Sequence, residues 1–346
     1  MRPAKIAING FGRIGRLFFR AVFGMPEFEI VAVNDLGDLE NLAYLLKYDT
    51  VYGRYQKEVR SQKSEVRSCL IVDGKEIAVL REKDPAKLPW KDLNIDIAVE
   101  ATGLFESFEK AKVHLAAGAK RVVITAPAKD SEGTEGGKTV LIGINDGDLK
   151  TTVLTSNGSC TTNAVAPVIQ IMSENPGIQK AILNTVHAYT ATQNIVDGPV
   201  GDGKDFRRGR SAAQNIVPST TGAAIAVTRV VPEMQGKFDG IALRVPVVTG
   251  SIADITFLAK RKVTVEEIND IFRKAAAEPR WQGILKVSED QLVSADIIGE
   301  PYGAVVDLGF TKVIDGDLVK VFAWYDNEAG YVATLVKHIQ SIAKLL

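Results

Sequence analysis

Residues 5–15, KIAINGFGRIG, decide the fold that we expect for this chain of 346 residues. The apolar run 5–9 has the composition of a buried strand, and it leads directly into a turn with glycine at positions 10, 12 and 15. A helical pattern of apolar residues follows over 13–23, and 29–33 is a second strand-like run. Strand, glycine turn, helix and strand in this order predict one right-handed βαβ unit.

The alternation of strands and helices continues through the first half of the chain. Residues 95–99 and 121–124 are strand-like, and the segment between them has helical spacing over 107–117. Repeated βαβ units build a parallel sheet with helices on its faces. We therefore predict an α/β domain of the Rossmann type, with a doubly wound parallel sheet, over residues 1–157.

The second half of the chain has a different pattern of apolar residues. Long β-rich runs, such as 182–189, 241–248 and 305–325, outnumber the helical segments, and Asp315-Gly316 predicts a tight hairpin turn. We therefore predict a second domain, of the α+β class and with a mostly antiparallel sheet, over residues 158–328. Helical spacing returns over 329–346, and we expect this last helix to pack on the first domain.

The glycine turn also predicts a ligand. Gly10, Gly12 and Gly15 allow a tight turn and the close approach of a pyrophosphate to the helix N-terminus. Asp35 lies twenty residues after Gly15 at the end of the second strand, where its carboxylate can bind a ribose 2′-hydroxyl and repel a 2′-phosphate. The competing interpretation is a turn that merely requires glycines. The order of strand, turn, helix, strand and acid favours an NAD site over that alternative and over NADP.

The two cysteines have different surroundings. Cys160 lies among Ser and Thr residues ahead of an apolar helical segment, and a helix that begins near it would lower the pKa of its thiol. Pro167 leaves two possibilities open, because it would either kink such a helix or form the first residue of a later one. Cys69 lies in the apolar run 69–72 and is expected to be a packing residue.

A nucleophilic thiolate needs a base, and His187 at the end of a strand-like run is the candidate. His114 and His338 lie in helical segments and are expected to be surface or packing residues. Arg244 is the single charge in an apolar strand-like run, 241–246, so we expect it to have an anionic partner. Cysteine, base and cation together predict covalent chemistry on an anionic substrate.

Composition excludes several other classes of protein. Lys plus Arg and Asp plus Glu both number 42, which gives no global positive field and argues against a dedicated nucleic-acid site. No apolar run approaches the roughly 18 residues of a membrane span, and the N-terminus has no signal-peptide core, so we expect a cytoplasmic protein. Two cysteines and three histidines without ligand spacing predict no metal site.

Eight segments, in this order, resemble the phosphorylating glyceraldehyde-3-phosphate dehydrogenase family, which is NAD-dependent and glycolytic. They are residues 9–16, 46–49, 159–163, His187 with 190–193, 214–218, 219–224, 244–246 and 324–328. The resemblance spans nearly the whole chain. It implies oxidation of D-glyceraldehyde 3-phosphate with NAD and inorganic phosphate to 1,3-bisphosphoglycerate through a cysteine thioester, and it implies a homotetramer.

The resemblance also implies roles for individual residues. Cys160 would be the nucleophile and His187 the base. The residues around NAD, besides the three glycines, would be Arg13, Ile14, Asp35, Lys83, Thr125 and Asn327. Thr190 and Arg244 would bind the substrate phosphate. The residues that would hold the attacking phosphate, or contact both phosphates, are Ser159, Thr161, Thr221, Gly222 and Arg210. The alternatives left open are oxidation of erythrose 4-phosphate, a hydrolytic variant, and a non-enzymatic NAD-sensing or RNA-binding module.

Overall fold

The chain divides into two compact units in a computed structural model that describes residues 2–64, 68–200 and 205–346. The first unit contains Met1–Val140, Asn145–Gly158 and Leu335–Leu346, and the second contains Leu141–Ile144 and Ser159–Thr334. These limits differ from the expected segments by one residue at Gly158 and by more at two other places. Leu141–Ile144 belong with the second unit because Leu141, Ile142 and Ile144 pack in its core. The C-terminal segment changes unit at Leu335 rather than at residue 329, because Gly330 packs closely on the backbone of Tyr302.

The first unit contains a sheet of nine strands among its described residues. In chain order the strands are β1 (Ala4–Asn9), β2 (Phe28–Asn34), β3 (Val59–Lys63), β4 (Ser68–Val72), β5 (Lys75–Leu80), β6 (Ile97–Glu100), β7 (Arg121–Ile124), β8 (Lys138–Thr139) and β9 (Leu154–Ser156). Their order in space is β3-β4-β5-β2-β1-β6-β7-β9-β8. The seven strands that lie between β5 and β8 in this spatial order, including both, run parallel to one another, as predicted. At the other edge of the sheet, β3 pairs with β4 and β4 with β5 in antiparallel fashion.

The first helices of the chain follow this sheet. They are α1 (Arg13–Val22), α2 (Leu39–Lys47), α3 (Phe108–Ala111) and α4 (Val113–Ala116). The single helix expected over 107–117 is therefore two short helices joined at Lys112. Strand order reverses at β1, since β2 lies on one side of it and β6 on the other. Ligands of such sheets bind at the carboxyl ends of the strands beside this reversal, which is where the glycine turn lies.

The second unit contains a sheet of seven strands among its described residues. In chain order its elements are α5 (Cys160–Glu174), β10 (Ile178–Ala188), β11 (Val217–Thr220), α6 (Ala223–Val230), β12 (Phe238–Val245), β13 (Ser251–Ala259), α7 (Val265–Ala277), β14 (Leu285–Ser288), β15 (Ala304–Ile314) and β16 (Leu318–Tyr325). The spatial order is β11-β12-β10-β13-β16-β15-β14. Among the described strands only the pairs β10–β12 and β14–β15 are parallel, so the sheet is mostly antiparallel, as predicted.

The turn at Asp315-Gly316 and the helix that follows Ser159 were both predicted from local sequence. Asp315 and Gly316 join β15 to β16 with φ angles of +46° and +74°, so the predicted hairpin turn is confirmed. Helix α5 begins at Cys160 and continues through Pro167 to Glu174. Of the two possibilities that the proline left open, the structure therefore shows a helix that begins at the cysteine, and Pro167 is not the first residue of a later helix. The last helix, α8 (Ala329–Ala343), contains residues of both units. In the described part of the chain, no helix combines the length and hydropathy of a membrane span.

Candidate active site

The glycine turn after β1 has the backbone geometry that a dinucleotide turn requires. Gly10 has a φ of +95°, and a Cβ there would lie 2.6 Å from the backbone nitrogen of Thr102. A Cβ on Gly15 would lie 2.1 Å from the carbonyl oxygen of Gly10, so only glycine lets α1 pack against the turn. A Cβ on Gly12 would meet nothing within 4 Å, so this side of the turn is open. The N-terminus of α1 has no acidic residue in its first turn, so the residues present fit the pyrophosphate of NAD.

Asp35 lies beside this turn at the carboxyl end of β2. Its Oδ2 accepts a hydrogen bond from the backbone N–H of Phe11 at 2.7 Å, and its Oδ1 accepts one from Gly37 at 2.8 Å. The carboxylate is half-buried, so it retains an exposed side toward which a ribose can bind. The sequence predicted a ribose contact at Asp35, whereas the bracing of the glycine turn by the same carboxylate was not predicted.

The other residues expected around the cofactor have different surroundings. Arg13 forms an ion pair with Asp49, and Ile14 is half-buried in the first turn of α1. The hydroxyl of Thr125 donates to a backbone carbonyl of β6, and Lys83 is exposed. These residues belong to the first unit. Asn327 belongs to the second unit, where its side-chain oxygen accepts hydrogen bonds from the hydroxyls of Thr249 and Ser251 at 3.1 and 2.9 Å.

A buried carboxylate beneath the glycine turn was missed by the sequence reasoning. Glu100 Oε2 accepts a hydrogen bond from Asn9 at 2.6 Å and lies 3.0 Å from His114 Nε2. His114 Nδ1 accepts a hydrogen bond from Trp90 Nε1 at 3.0 Å, so the neutral imidazole carries its proton on Nε2 and donates it to Glu100. Of the two roles expected for His114, packing or surface, the structure therefore shows packing. His338 is also a buried packing residue, and its Nε2 lies 2.9 Å from the hydroxyl of Thr155.

The reactive centre of the second unit is formed where α5 begins and β10 ends. Ser159 caps α5, because its hydroxyl accepts the N–H of Thr162 while the Thr162 hydroxyl accepts the N–H of Ser159. This cap fixes Cys160 as the first residue of the helix. The sulfur of Cys160 lies 3.4 Å from Nε2 of His187, so the two candidates named from the sequence are in contact. Cys69 is buried in β4 of the other unit, as expected.

Burial determines the charge state of the Cys160–His187 pair. It raises the pKa of the Cys160 thiol, an effect that the positive charge of Arg244 offsets only in part. The sequence predicted that the helix terminus would lower the pKa of the Cys160 thiol. In the protein without ligands this prediction is wrong, because a thiolate at this buried position would lose its hydration. Burial, with a smaller contribution from Arg244, lowers the pKa of His187 to about 3. Both shifts disfavour the charged forms of the two side chains.

Arg244 lies beside His187 because β12 is paired with β10 in parallel, with Arg244 opposite His187 in the register. Its Nη1 lies 2.7 Å from His187 Nδ1 and donates to the carbonyl oxygen of Ala188 at 3.1 Å. Burial lowers the pKa of Arg244, and the nearby charge of Arg208 acts in the same direction. Within the described residues Arg244 forms no ion pair with a carboxylate, so the anionic partner that the sequence predicts is not a side chain of this part of the chain.

Tyr325, the last residue of β16, connects the elements that carry the cysteine and the histidine. Its hydroxyl lies 2.9 Å from that of Thr161 on α5 and 2.7 Å from that of Thr185 on β10. Its ring lies against the His187 ring in an edge-to-face arrangement, with 5.9 Å between centroids. Tyr325 is buried, and this geometry fixes α5 relative to β10. The segment 324–328 was noted in the sequence, but this bridge was not.

The residues expected at the anion sites are only partly clustered. Arg210 is exposed and forms an ion pair with Asp197 at 2.8 Å. Arg208 instead donates to the Ser219 hydroxyl at 3.0 Å, in the segment that precedes Thr221 and Gly222. The hydroxyl of Thr221 accepts the N–H of Ala223, and Gly222 is the N-cap of α6. The hydroxyl of Thr190 lies 2.9 Å from that of Thr192. Arg208 is therefore better placed than Arg210 for an anion near Arg244.

Two regions of the chain match the two domains of one protein family. Residues 4–108 match the glyceraldehyde 3-phosphate dehydrogenase NAD binding domain. Residues 159–327 match the glyceraldehyde 3-phosphate dehydrogenase C-terminal domain. The first match covers the glycine turn and Asp35, and the second covers Cys160, His187 and Arg244.

The chain is also similar over nearly its full length to bacterial proteins named glyceraldehyde-3-phosphate dehydrogenase. It is 46% identical over 345 residues to the protein of Clostridium pasteurianum, with 99% of each chain covered. It is 48% identical over 335 residues to that of Streptomyces coelicolor, with 96% of each covered, and 48% identical over 342 residues to that of Geobacillus stearothermophilus, with 97% of this chain and 98% of the other covered. The resemblance found in the motifs is confirmed, and the chain belongs to the glyceraldehyde 3-phosphate dehydrogenase family.

Proposed function

We propose that this protein is an NAD-dependent phosphorylating dehydrogenase that converts D-glyceraldehyde 3-phosphate and inorganic phosphate to 1,3-bisphosphoglycerate. The observation that carries this function is the 3.4 Å contact between Cys160 Sγ and His187 Nε2, beside Arg244, which forms no ion pair with a carboxylate of the described residues. A thiol in contact with a neutral imidazole is the arrangement that covalent catalysis on a carbonyl requires. Arg244, which has no carboxylate partner among the described residues, supports a substrate that carries a phosphate.

NAD, when bound, supplies the acceptor for the hydride that leaves the aldehyde carbon. The residues that would hold it are the turn glycines, Gly10, Gly12 and Gly15, with Asp35 at the ribose. Arg13, Ile14, Lys83, Thr125 and Asn327 complete the proposed set. Asp35 is the residue that selects NAD, since its carboxylate would repel the 2′-phosphate of NADP.

The acyl chemistry belongs to Cys160 and His187. His187 Nε2 takes the thiol proton, and the thiolate sulfur forms a bond to the aldehyde carbon. The resulting alkoxide, stabilised by the backbone amides at the start of α5, takes the proton back from His187 and becomes the hydroxyl of a hemithioacetal. His187 then removes that hydroxyl proton as the carbon is oxidised, which leaves a thioester on Cys160. Attack by inorganic phosphate on the thioester carbonyl breaks the carbon–sulfur bond and regenerates the thiolate.

The two phosphates require two sets of donors. We assign the phosphate of the substrate to Arg244 and Thr190. We assign the attacking phosphate to Arg208 and to the residues predicted for it, which are Ser159, Thr161, Thr221 and Gly222. Arg210, which the sequence predicted for the same phosphate, stays in the proposed set, although in this structure it is exposed and paired with Asp197. Charge-assisted hydrogen bonds from arginine are the strongest side-chain contacts to phosphate.

We further propose a cytoplasmic homotetramer. One face of the second unit, formed by its sheet and by α6, carries large apolar side chains that are open to solvent in the single chain. They include Ile182 of β10, Ile225 of α6 and Ile241 of β12, which are 60%, 61% and 53% exposed. The cavity on this face has a volume of about 760 Å³ and is lined by residues such as Phe238 and Leu318. Exposed apolar surface of this kind is typical of protein–protein interfaces. Light scattering tests the proposal, and a monomer at micromolar concentration would contradict it.

Formation of NADH tests the proposed reaction. The purified protein is given glyceraldehyde 3-phosphate and NAD, and absorbance is followed with and without inorganic phosphate. We expect sustained turnover only with phosphate, with 1,3-bisphosphoglycerate as product. Sustained turnover without phosphate, with release of 3-phosphoglycerate, would indicate the hydrolytic variant. A higher kcat/KM for erythrose 4-phosphate would indicate the other sugar phosphate, and no turnover of either would leave only a non-enzymatic role.

A further inference from the structure

The buried carboxylate at the carboxyl end of β6 has hydrogen-bond donors on every side. Glu100 is the last residue of that strand, and its side chain is 1% exposed. Its Oε1 accepts the backbone N–H of Thr102 at 2.8 Å and also the hydroxyl of Thr102. Its Oε2 accepts from the amide of Asn9 at 2.6 Å and lies 3.0 Å from His114 Nε2. In the described part of the chain, no lysine or arginine forms an ion pair with Glu100.

The directions of these hydrogen bonds are fixed by groups that can only donate. Trp90 Nε1 donates to His114 Nδ1 at 3.0 Å, so the imidazole proton is on Nε2 and is donated to Glu100. On the other side, a backbone N–H of the loop after β5 donates to the side-chain oxygen of Asn34. The amide nitrogen of Asn34 donates to the side-chain oxygen of Asn9 at 2.7 Å, so the amide nitrogen of Asn9 faces Glu100. Both chains of hydrogen bonds therefore end on this carboxylate.

This arrangement indicates an ionised carboxylate. An ionised carboxylate only accepts and has about four lone-pair sites, and Glu100 has four donors, two from Thr102 and one each from Asn9 and His114. All of these donors are neutral, so the network carries one negative charge that no cation of the described residues pairs with. Little water screens a buried charge, so it acts over a longer distance than a charge at the surface.

The position of Glu100 in the sheet is on the nicotinamide side of the cofactor site. Strand order reverses at β1, with β2 on one side and β6 on the other. Dinucleotides bind across the carboxyl ends of the strands at such a reversal, with one nucleotide on each side. Asp35 at the end of β2 is the residue that we assign to the adenosine ribose. The nicotinamide half then lies on the side of β6, the strand that ends with Glu100.

We propose that the ionised Glu100 makes this site prefer the oxidised cofactor. Its negative charge stabilises the positively charged nicotinamide ring of NAD, whereas the dihydronicotinamide ring of NADH is neutral. The pyrophosphate is common to both forms, so its repulsion from Glu100 cancels in the comparison. This inference rests on the proposed function, since it takes the orientation of the cofactor from the role of Asp35. Its consequence is that NADH leaves the site more readily than NAD.

A purely structural role for Glu100 predicts a different result. If the carboxylate only holds Asn9 and Thr102 around the glycine turn, its loss should weaken the binding of every dinucleotide by the same factor. A charge effect instead changes the ratio of two affinities. The benzamide analogue of NAD, in which a carbon atom replaces the charged nitrogen of the nicotinamide ring, is a neutral and planar ligand for this comparison. NADH is a second neutral ligand.

Calorimetry on the full-length protein, near neutral pH and at constant ionic strength, measures the Kd values of NAD, NADH and the benzamide analogue. In Glu100→Gln we expect the preference for NAD over each neutral ligand to fall by roughly 5- to 20-fold. Coulomb's law gives an effect of this size for unit charges about 10–15 Å apart at an effective dielectric constant of about 20. Glu100→Asp keeps the charge and should keep the ratios, although its shorter side chain weakens all three affinities. Glu109→Gln, the same change at an exposed position of α3, should behave as the parent.

Binding of the benzamide analogue to the parent protein as tightly as NAD, or more tightly, would overturn the proposal, and this arm needs no variant to fold. A folded Glu100→Gln protein with the parent ratios would overturn it as well, as would a Glu100→Asp protein whose ratios fall despite the retained charge. Turnover of glyceraldehyde 3-phosphate is measured on the same preparations. Turnover by the parent with unchanged ratios in Glu100→Gln would refute the charge effect alone. A change of the ratios without turnover by the parent would instead refute the proposed reaction.

Discussion

The sulfur of Cys160 lies 3.4 Å from Nε2 of His187, and these two residues come from the first turn of α5 and the end of β10. This contact predicts that His187→Asn lowers kcat by roughly two to four orders of magnitude, because a general base contributes about that much. We also expect slower reaction of Cys160 with iodoacetamide near pH 7, because the thiol loses the base that contacts it. Steady-state kinetics at saturating substrate checks the first result.

His338→Asn is the matched control, because that histidine is buried but bonded to Thr155 in the first unit. We expect its kcat to stay within a small factor of the parent value once folding is verified by circular dichroism. Comparable losses of kcat in both variants would mean that the effect of His187→Asn arises from stability and not from proton transfer.

Tyr325→Phe tests the bridge between Thr161 and Thr185. Removing the hydroxyl leaves two buried threonine hydroxyls without this partner, so we expect a loss of about 1–3 kcal/mol in the free energy of unfolding. A looser contact between Cys160 and His187 should lower kcat with little change in the KM for glyceraldehyde 3-phosphate. Tyr302→Phe, the same substitution at another tyrosine, is the control and should leave kcat unchanged. A rise in KM alone in Tyr325→Phe would show that Tyr325 affects substrate binding and not the alignment of Cys160 with His187.

Asp35→Asn separates charge repulsion from bracing of the glycine turn. The amide keeps an oxygen that can accept the N–H of Phe11 but removes the negative charge. We expect the preference for NAD over NADP, measured as the ratio of kcat/KM values, to fall by about 10- to 100-fold, or about 1.4–2.8 kcal/mol. Asp35→Ala should in addition weaken NAD binding, measured by calorimetry. An unchanged ratio in Asp35→Asn would refute the role of this carboxylate in selecting NAD.

Asp96 predicts part of the acid sensitivity of the first unit. Its buried carboxylate accepts hydrogen bonds from Arg2, Lys120 and the backbone of Lys5, which outweigh burial and hold its pKa well below the usual range. A depressed folded-state pKa gives stability that is present above the unfolded-state pKa, about 3.9, and is lost as the pH falls below it. Asp96→Asn should therefore lower the melting temperature near pH 7, and the difference from the parent should shrink toward pH 2.

Asp92→Asn, a change at an exposed aspartate nearby in the chain, provides the comparison. We expect it to leave the melting temperature nearly unchanged at both pH values. A difference between Asp96→Asn and the parent that stays constant from pH 7 to pH 2 would show that the contribution of Asp96 does not depend on its charge.

The features that the sequence predicted are those set by neighbours in the chain. The glycine turn requires backbone shapes at Gly10 and Gly15 that only glycine adopts there, so a local pattern identifies it. Asp315 and Gly316 identify their hairpin for the same reason. The alternation of strands and helices likewise predicted the parallel and the mostly antiparallel sheets, because side-chain periodicity follows directly from burial on one face.

The features that the sequence did not predict depend on pairs far apart in the chain. Tyr325 bridges Thr161 and Thr185, which lie 164 and 140 positions away, and no local pattern encodes such a contact. Arg208 and Arg210 are two positions apart in one basic segment, and contacts far along the chain distinguish them: Arg208 donates to Ser219, whereas Arg210 pairs with Asp197. The raised thiol pKa of Cys160 was missed because burial depends on the whole unit, whereas the helix terminus that argued for a lowered pKa is local.

The covalent intermediate on Cys160 provides the most direct test of the proposed reaction. The protein is mixed with NAD and glyceraldehyde 3-phosphate without inorganic phosphate, quenched in acid and digested, and its peptides are analysed by mass spectrometry. We predict one 3-phosphoglyceroyl group per chain on Cys160, none on Cys69, and loss of the group when phosphate is added before the quench. An unmodified Cys160 in a preparation that forms NADH with phosphate, or an acyl group that phosphate does not remove, would contradict the thioester mechanism.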